Sequence, residues 1–146
     1  MQAYGEGSEF EIGKGVVLHE SGEDQAAIIT SGIMVDESLK AYEALQAEGI
    51  SVRVVDMFTW KPLDEALVLK AAKETGAIVT AENHNVTCGL GSMVANCLAK
   101  NRPTVQEFVG VQDLFGQVGP QGFLMDTYGL RAANIVEAVK GTIRRK

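Results

Sequence analysis

The chain has 146 residues, 46% hydrophobic and 22% charged, which suits one soluble globular domain with a sizeable core. Its formal net charge of -6 argues against general nucleic-acid binding, which needs a basic face to displace counterions. No apolar run approaches the ~18 residues of a membrane span, and a start carrying Glu6, Glu9 and Glu11 does not read as a signal peptide.

Residues 1–15 are polar and punctuated by Gly5, Gly7, Gly13 and Gly15, and read as a linker or arm arriving from elsewhere. The expectation is therefore a piece of a longer protein, with its folded domain over 16–146. Val16 to Glu20 reads as a first strand and Ala26 to Thr30 as a second. The link Ser21 to Gln25 is too short for a crossover helix, so the two strands run in opposite directions, and link length alone suggests a hairpin. Ser31-Gly32 breaks the second strand. A helix follows from about Met34 to Glu48, with Val35, Leu39, Tyr42 and Leu45 on one stripe and Gly49 closing it. Ile50 to Val55 is the third strand, and Asp56 to Leu63 a long loop holding the only tryptophan, Trp60. Asp64 caps a helix with Leu67, Val68, Ala71 and Ala72 on its face, closed by Gly76.

The stretch from Ala77 to Leu98 organises the chain. The apolar run Ala77 to Ala81 reads as a buried parallel strand, and Met93, Val94, Cys97 and Leu98 recur at helical spacing. Between them, Glu82, Asn83, His84 and Asn85 crowd the strand's carboxyl end, and Gly89 and Gly91 allow a sharp turn or a close approach. Two readings stand. In one, the glycines serve packing, Glu82 and Ser92 satisfy the helix start, and His84 lies at the surface. In the other, the rim is an interface or anion site, since a helix start points unpaired N–H groups at the strand end. Gly-Leu-Gly without Gly-Lys-Ser/Thr is not a phosphate loop. Cys88 and Cys97 stand nine apart, outside any Cys-x-x-Cys pattern, which fits a reduced, cytoplasmic protein. Cys97 falls on the apolar helix face; Cys88 lies in the loop with no base marked beside it.

Asn101-Arg102-Pro103 stops that helix. Val105 to Val109 is the fifth strand, and Gly110 to Gly119 is too glycine-rich for a regular element. Pro120 to Tyr128 reads as a short helix ended by Gly129, and Ala132 to Ile143 as a last helix burying Ile135, Val136, Val139 and Ile143. The basic end Arg144-Arg145-Lys146 reads as a solvated helix terminus. Strands alternating with helices mean an α/β fold, a mostly parallel sheet with helices on both faces. In such sheets ligands and partners meet the carboxyl ends of the strands where strand order reverses.

Glu82-x-His84 followed by Gly89-Leu90-Gly91-Ser92 resembles the C-terminal domain of transketolase, of the short or split bacterial and archaeal type. So do Ile12-Gly13-Lys14-Gly15, Thr30-Ser31-Gly32, Val55-Asp56-Met57 and Lys61-Pro62-Leu63-Asp64. Gly110-Val111-Gln112-Asp113-x-Phe115-Gly116 and Tyr128-Gly129-Leu130 complete a match over residues about 9 to 143. Deoxyxylulose-phosphate synthase and the beta chains of 2-oxo acid dehydrogenases share the domain and remain alternatives, as does a free-standing anion- or nucleotide-binding module. The His84 phrase and the Asp113-x-Phe115-Gly116 ending favour transketolase. Three positions depart from the family pattern: Leu114 where an Arg is usual, Cys88 where Gly is common, and Arg131 where a Ser or Thr would cap the last helix.

The resemblance implies a three-layer α/β/α sandwich with a five-stranded mixed sheet in the order 1-3-2-4-5, strand 1 antiparallel. A five-residue link spans about 17 Å at full extension and skipping one strand needs about 10 Å, so that order replaces the hairpin. Order then reverses between strands 2 and 4, which brings Ser31 and Gly32 to the same crevice as Glu82, His84, Gly89, Gly91 and Ser92, the candidate interface or anion rim. Transketolases use thiamine diphosphate and magnesium to move a two-carbon ketol unit from ketose to aldose phosphates in the pentose phosphate pathway. In that family the cofactor lies between two other domains, and a dimer completes the site. The resemblance therefore implies a transferase domain without catalytic, cofactor or metal residues of its own, silent alone, whose partners are the remaining transketolase domains or subunit and a second copy of the complete enzyme.

Overall fold

A computed structural model describes residues 3–146. The strands are Val16–His19 (β1), Ala26–Thr30 (β2), Val52–Asp56 (β3), Ala77–Asn85 (β4) and Val105–Val111 (β5). The helices are Met34–Ala47 (α1), Glu65–Thr75 (α2), Leu90–Asn101 (α3), Gln121–Thr127 (α4) and Ala132–Ile143 (α5). The sheet runs β1-β3-β2-β4-β5, with β1 antiparallel to β3 and every other pair parallel.

The hairpin suggested by link length does not form: Val16 of β1 stands opposite Asp56 of β3. Burial explains the exchange. Every residue of β3 is buried, which requires a neighbour on each side, whereas β1 is half-buried throughout and suits an edge. Side chains alternate between two cores. Ile28, Val54 and Val79 face α1 and α5, where Leu39, Leu45, Ile135 and Val139 meet them. Ile29, Val55 and Ile78 face α2 and α3, against Val68, Ala71, Val94 and Leu98. Cys97 lies in this second core, on the helix face that its spacing indicated.

β4 and β5 outrun their apolar runs. Pairing resumes at Asn85 and Val111 after an irregularity beyond Ala81, and the Val86 N–H donates to the Val111 carbonyl at 3.0 Å. Glu82 to Asn85, expected in a loop, thus continue the strand. An apolar run ends where the sheet leaves the core; backbone pairing ends where the partner strand does.

Three helix starts follow or depart from what their residues suggest. Asp64 accepts the Leu67 N–H at 3.0 Å, and Gly76 closes α2 with φ 70°. Pro120 stands just before α4 instead of inside it. At α5 the position that departs from the family pattern, Arg131, has no acceptor on its side chain. The buried Glu37 carboxylate of α1 accepts the Ala132 N–H at 2.7 Å instead, and Asn134 Oδ1 accepts the Arg131 N–H at 3.1 Å. The Arg131 guanidinium turns to Asp126 at 2.6 Å and the Gly122 carbonyl at 2.8 Å.

The described part of the arm before β1 has no helix or strand, yet it is tied to the body beside the β3–α2 loop. The Tyr4 hydroxyl donates to Asp56 at 2.5 Å, and the Phe10 ring sits against Tyr4 and Phe58 with centroids 4.8 and 5.1 Å away. The Gly13 N–H donates to Thr59 Oγ1 at 3.0 Å, and the Gly15 N–H to Asp64 at 3.1 Å, so one carboxylate holds both arm and helix.

Candidate docking edge

At the carboxyl end of β4 the chain must turn into α3, whose first N–H groups need acceptors. Glu82 supplies them. Its side chain, 1% exposed, accepts the Leu90 N–H through one oxygen and the Gly91 N–H through the other, both at 2.8 Å. Burial holds the Glu82 carboxyl above its ordinary range, against the opposing pull of the Gly91 and Leu90 amides. Ser92 ties down the loop before the helix: its hydroxyl donates to the Val86 carbonyl at 2.8 Å and accepts the Cys88 N–H at 2.9 Å.

The two glycines are required by closeness. A Cβ on Gly89 would run into the Glu82 carboxylate and lie 2.8 Å from the Asn85 carbonyl; one on Gly91 would lie 2.5 Å from the Phe108 ring and 2.8 Å from Thr80 Oγ1. Gly89 makes room for the acceptor, and Gly91 lets α3 rest on the sheet. Cys88, where the family commonly has glycine, has φ 66°. A side chain there costs about 1–2 kcal/mol, partly offset by the greater freedom glycine has in the unfolded chain. Cys88→Gly is expected to raise stability by about 0.5–1 kcal/mol and Cys88→Val to lower it, read as shifts in the denaturation midpoint.

The remaining predicted rim residues meet across the crevice through a residue the sequence did not single out. The Trp60 indole N–H, from the loop after β3, donates to Ser31 Oγ after β2 at 2.9 Å. The His84 ring stands edge-on to the same indole with centroids 6.0 Å apart, while its Nδ1 meets the Asn85 carbonyl at 2.8 Å. Gly32 faces Asn83: a Cβ there would lie 3.8 Å from the Asn83 amide oxygen. The ends of β2, β3 and β4 are thus joined. Trp60 was recognisable only as the sole tryptophan, in a long loop.

Beside this rim, residues 112–119 run from β5 to α4 as an irregular segment pinned by Tyr128. The Tyr128 hydroxyl donates to the Phe115 carbonyl and accepts the Gln117 N–H, each at 2.8 Å. With its backbone held this way, Phe115 is 98% exposed and Val118 101%. Among the described residues, the large apolar side chains left exposed are Phe10, Ile12, Ile33, Leu114, Phe115, Val118 and Phe123. Phe10 and Ile12 lie on the arm, Ile33, Leu114, Phe115 and Val118 in connections leaving the carboxyl ends of β2 and β5, and Phe123 on α4 just beyond the second of these. Leu114, the departure from a usual Arg, adds to this apolar edge. An adjoining crevice of about 330 Å³ is lined by Ile33, Asn83, Val111, Leu124, Met125 and Tyr128.

Residues 13–135 match the family model described as transketolase, C-terminal domain. The chain belongs to the transketolase C-terminal domain family. It is 45% identical over 141 residues to the 6-deoxy-6-sulfo-D-fructose transketolase subunit of Clostridium sp. (strain MSTE9), covering 97% of this chain and 43% of that protein. It is 33% identical over 143 residues to mouse (Mus musculus) transketolase, covering 97% of this chain and 23% of that protein. Among solved structures, a split-gene transketolase in an inactive beta4 tetramer superposes with a TM-score of 0.92 at 44% identity, over 99% of this chain and 46% of that one. The chain thus spans less than half the length of these transketolases. Five strands in the order 1-3-2-4-5 with strand 1 antiparallel, as the sequence resemblance implied, are the fold of this family domain. No helix among the described residues is long and apolar enough to cross a membrane.

The geometry also bears on what the rim can hold. The Leu90 and Gly91 amides are the donors an anion at a helix start would use, and Glu82 already engages both while adding negative charge. These residues do not suit a diphosphate.

Proposed function

We propose that this domain is the C-terminal part of a thiamine-diphosphate-dependent transketolase and acts as its docking module, meeting the remaining domains or subunit through the carboxyl edge of its sheet. The complete enzyme transfers ketol units between ketose and aldose phosphates in the cytoplasm, as a dimer or higher oligomer. Thiamine diphosphate and magnesium belong to the parts outside this chain. The observation that carries the reading is the gathering of exposed large apolar side chains at one end of the sheet, three of them, Leu114, Phe115 and Val118, on a loop whose backbone is held in place. Monomer surfaces rarely leave such residues contiguous and unpartnered. Asn83 and His84 are exposed between the two apolar flanks, with Ser31, Gly32 and Trp60 packed beside them, a pattern of apolar anchors with polar surroundings. Glu82, Gly89, Gly91 and Ser92 serve that edge by fixing the loop that follows His84 into α3.

The test is reconstitution. Mixed with the polypeptide carrying the other transketolase domains, the chain is expected to bind and to restore ketol transfer, and to show none by itself. Phe115→Asp is expected to weaken that association at least about thirty-fold, the effect of losing a central aromatic anchor, without lowering the melting temperature. Ketol transfer by the chain alone, or unchanged binding by the Phe115 variant, would sink the reading.

A further inference from the structure

We propose that the outer edge of β5 is closed to strand addition by the chain's own side chains, Gln112 and Arg145, and that the partner they keep off is β5 of a second copy. This surface runs along the side of the sheet and meets the docking edge only at Gln112, where the segment after β5 begins. β5 has β4 on one side and, among the described residues, no strand on the other. Glu107 and Val111 turn their carbonyls toward β4, where Thr80 Oγ1 and the Val86 N–H reach them at 3.4 and 3.0 Å. Gln106, Phe108 and Gly110 therefore point their backbone groups outward, the row that makes an edge strand a template for another chain.

That row is covered. The Gln112 side-chain amide donates to the Phe108 carbonyl at 3.2 Å and to the Gly110 carbonyl at 3.1 Å. The Arg145 guanidinium reaches the Gln106 carbonyl at 3.4 Å and is held there by Glu107 at 2.6 Å. The other Glu107 oxygen accepts the outward Phe108 N–H at 3.5 Å. All three outward carbonyls and one of the outward N–H groups are thus engaged by side chains. The opposite edge is protected differently: β1 has four residues and an irregularity between Val17 and His19. β5 has seven residues, VQEFVGV, with a single charge, and without its guards it is the edge open to pairing. A β5–β5 contact about a two-fold axis uses the same surface twice and closes on itself, which makes a second copy the natural occupant. The basic terminus, read from sequence as a solvated helix end, gains a role through Arg145.

Gln112→Ala with Arg145→Ala removes both guards; Gln112→Lys with Arg145→Lys keeps long donors at both positions. Molar mass is measured by light scattering across protein concentration, together with amide exchange at Gln106, Phe108 and Gly110. The alanine pair is expected to climb in mass toward twice that of the wild type while exchange at those three amides slows, and the lysine pair to follow the wild type. An alanine pair with wild-type mass at every concentration overturns the proposal. So does association that leaves the three amides exchanging as before, which would point to the docking edge instead. Should the double variant unfold early, Gln112→Ala alone, with the Arg145–Glu107 pair intact, gives the same reading at lower amplitude.

Discussion

Glu82→Ala is expected to destabilise the domain by about 3 kcal/mol, because it strands two buried backbone donors at about 1–3 kcal/mol each and removes the carboxylate that offsets the positive start of α3. In a domain of this size that is a fall of roughly 10 °C in melting temperature, measurable by calorimetry or denaturant titration. A loss below about 1 kcal/mol would show that the amides find another acceptor. The same variant distinguishes a capped helix start from an anion site. Inorganic phosphate is expected to leave the wild-type melting temperature unchanged and to raise that of Glu82→Ala, since only the variant has the two amides free. A phosphate response in the wild type would restore the anion reading of the rim.

The pH dependence has a definite sign. The folded pKa of Glu82 lies above its ordinary value of 4.5, so the folded state holds the proton more tightly than the unfolded state. Its contribution to stability is full below that ordinary value and is lost as pH rises through the raised folded one. Against Glu82→Gln, which does not titrate, the wild-type advantage is expected to shrink as pH rises from 4.5 toward neutrality. An advantage that grows over this range would mean that the amide bonds outweigh burial.

Gly91→Ala is expected to cost about 2 kcal/mol, the usual penalty for forcing a methyl into a filled core. Two ring atoms of Phe108, 2.5 and 3.0 Å from the new Cβ, and the Thr80 hydroxyl at 2.8 Å leave no room for it. The helix would have to rise from the sheet, and Gln106, whose amide donates to the Gly91 carbonyl at 3.0 Å and to Thr80 Oγ1 at 3.3 Å, would lose the first of these acceptors. Because the obstacle is the ring, Phe108→Leu is expected to relieve part of the cost. A double-mutant cycle should show at least about 0.5 kcal/mol of coupling; strict additivity would place the strain elsewhere.

Residue types near the rim could be read in two ways from the sequence, and distance decides between them for particular groups. Glu82 and Ser92 sit where a helix start needs acceptors, and spacing already suggested that use. Which amides Glu82 takes depends on the strand continuing past Ala81, and the polarity of residues 82–85 gave no sign of that. Gly89 and Gly91 look alike in sequence, yet one clears a carboxylate and the other an aromatic ring. Trp60 joins the rim only because β3 lies beside β2, which places the loop after Asp56 next to Ser31. Likewise, the loss of a hydroxyl cap at Arg131 is offset by Glu37, ninety-five residues before the Ala132 amide that it accepts.

Hydrophobic periodicity, turn residues and capping side chains are local, and they determined the helices, the strand cores and the α/β class of this chain unaided. The motif phrases, in their order, determined its family. Strand order came with that family, not with any local pattern, and the donors that meet Glu82, the guards on β5 and the apolar side chains left facing outward depend on contacts between distant segments. Only the folded body decides those, because the free energy of burying or satisfying a group is settled by whichever atoms arrive beside it.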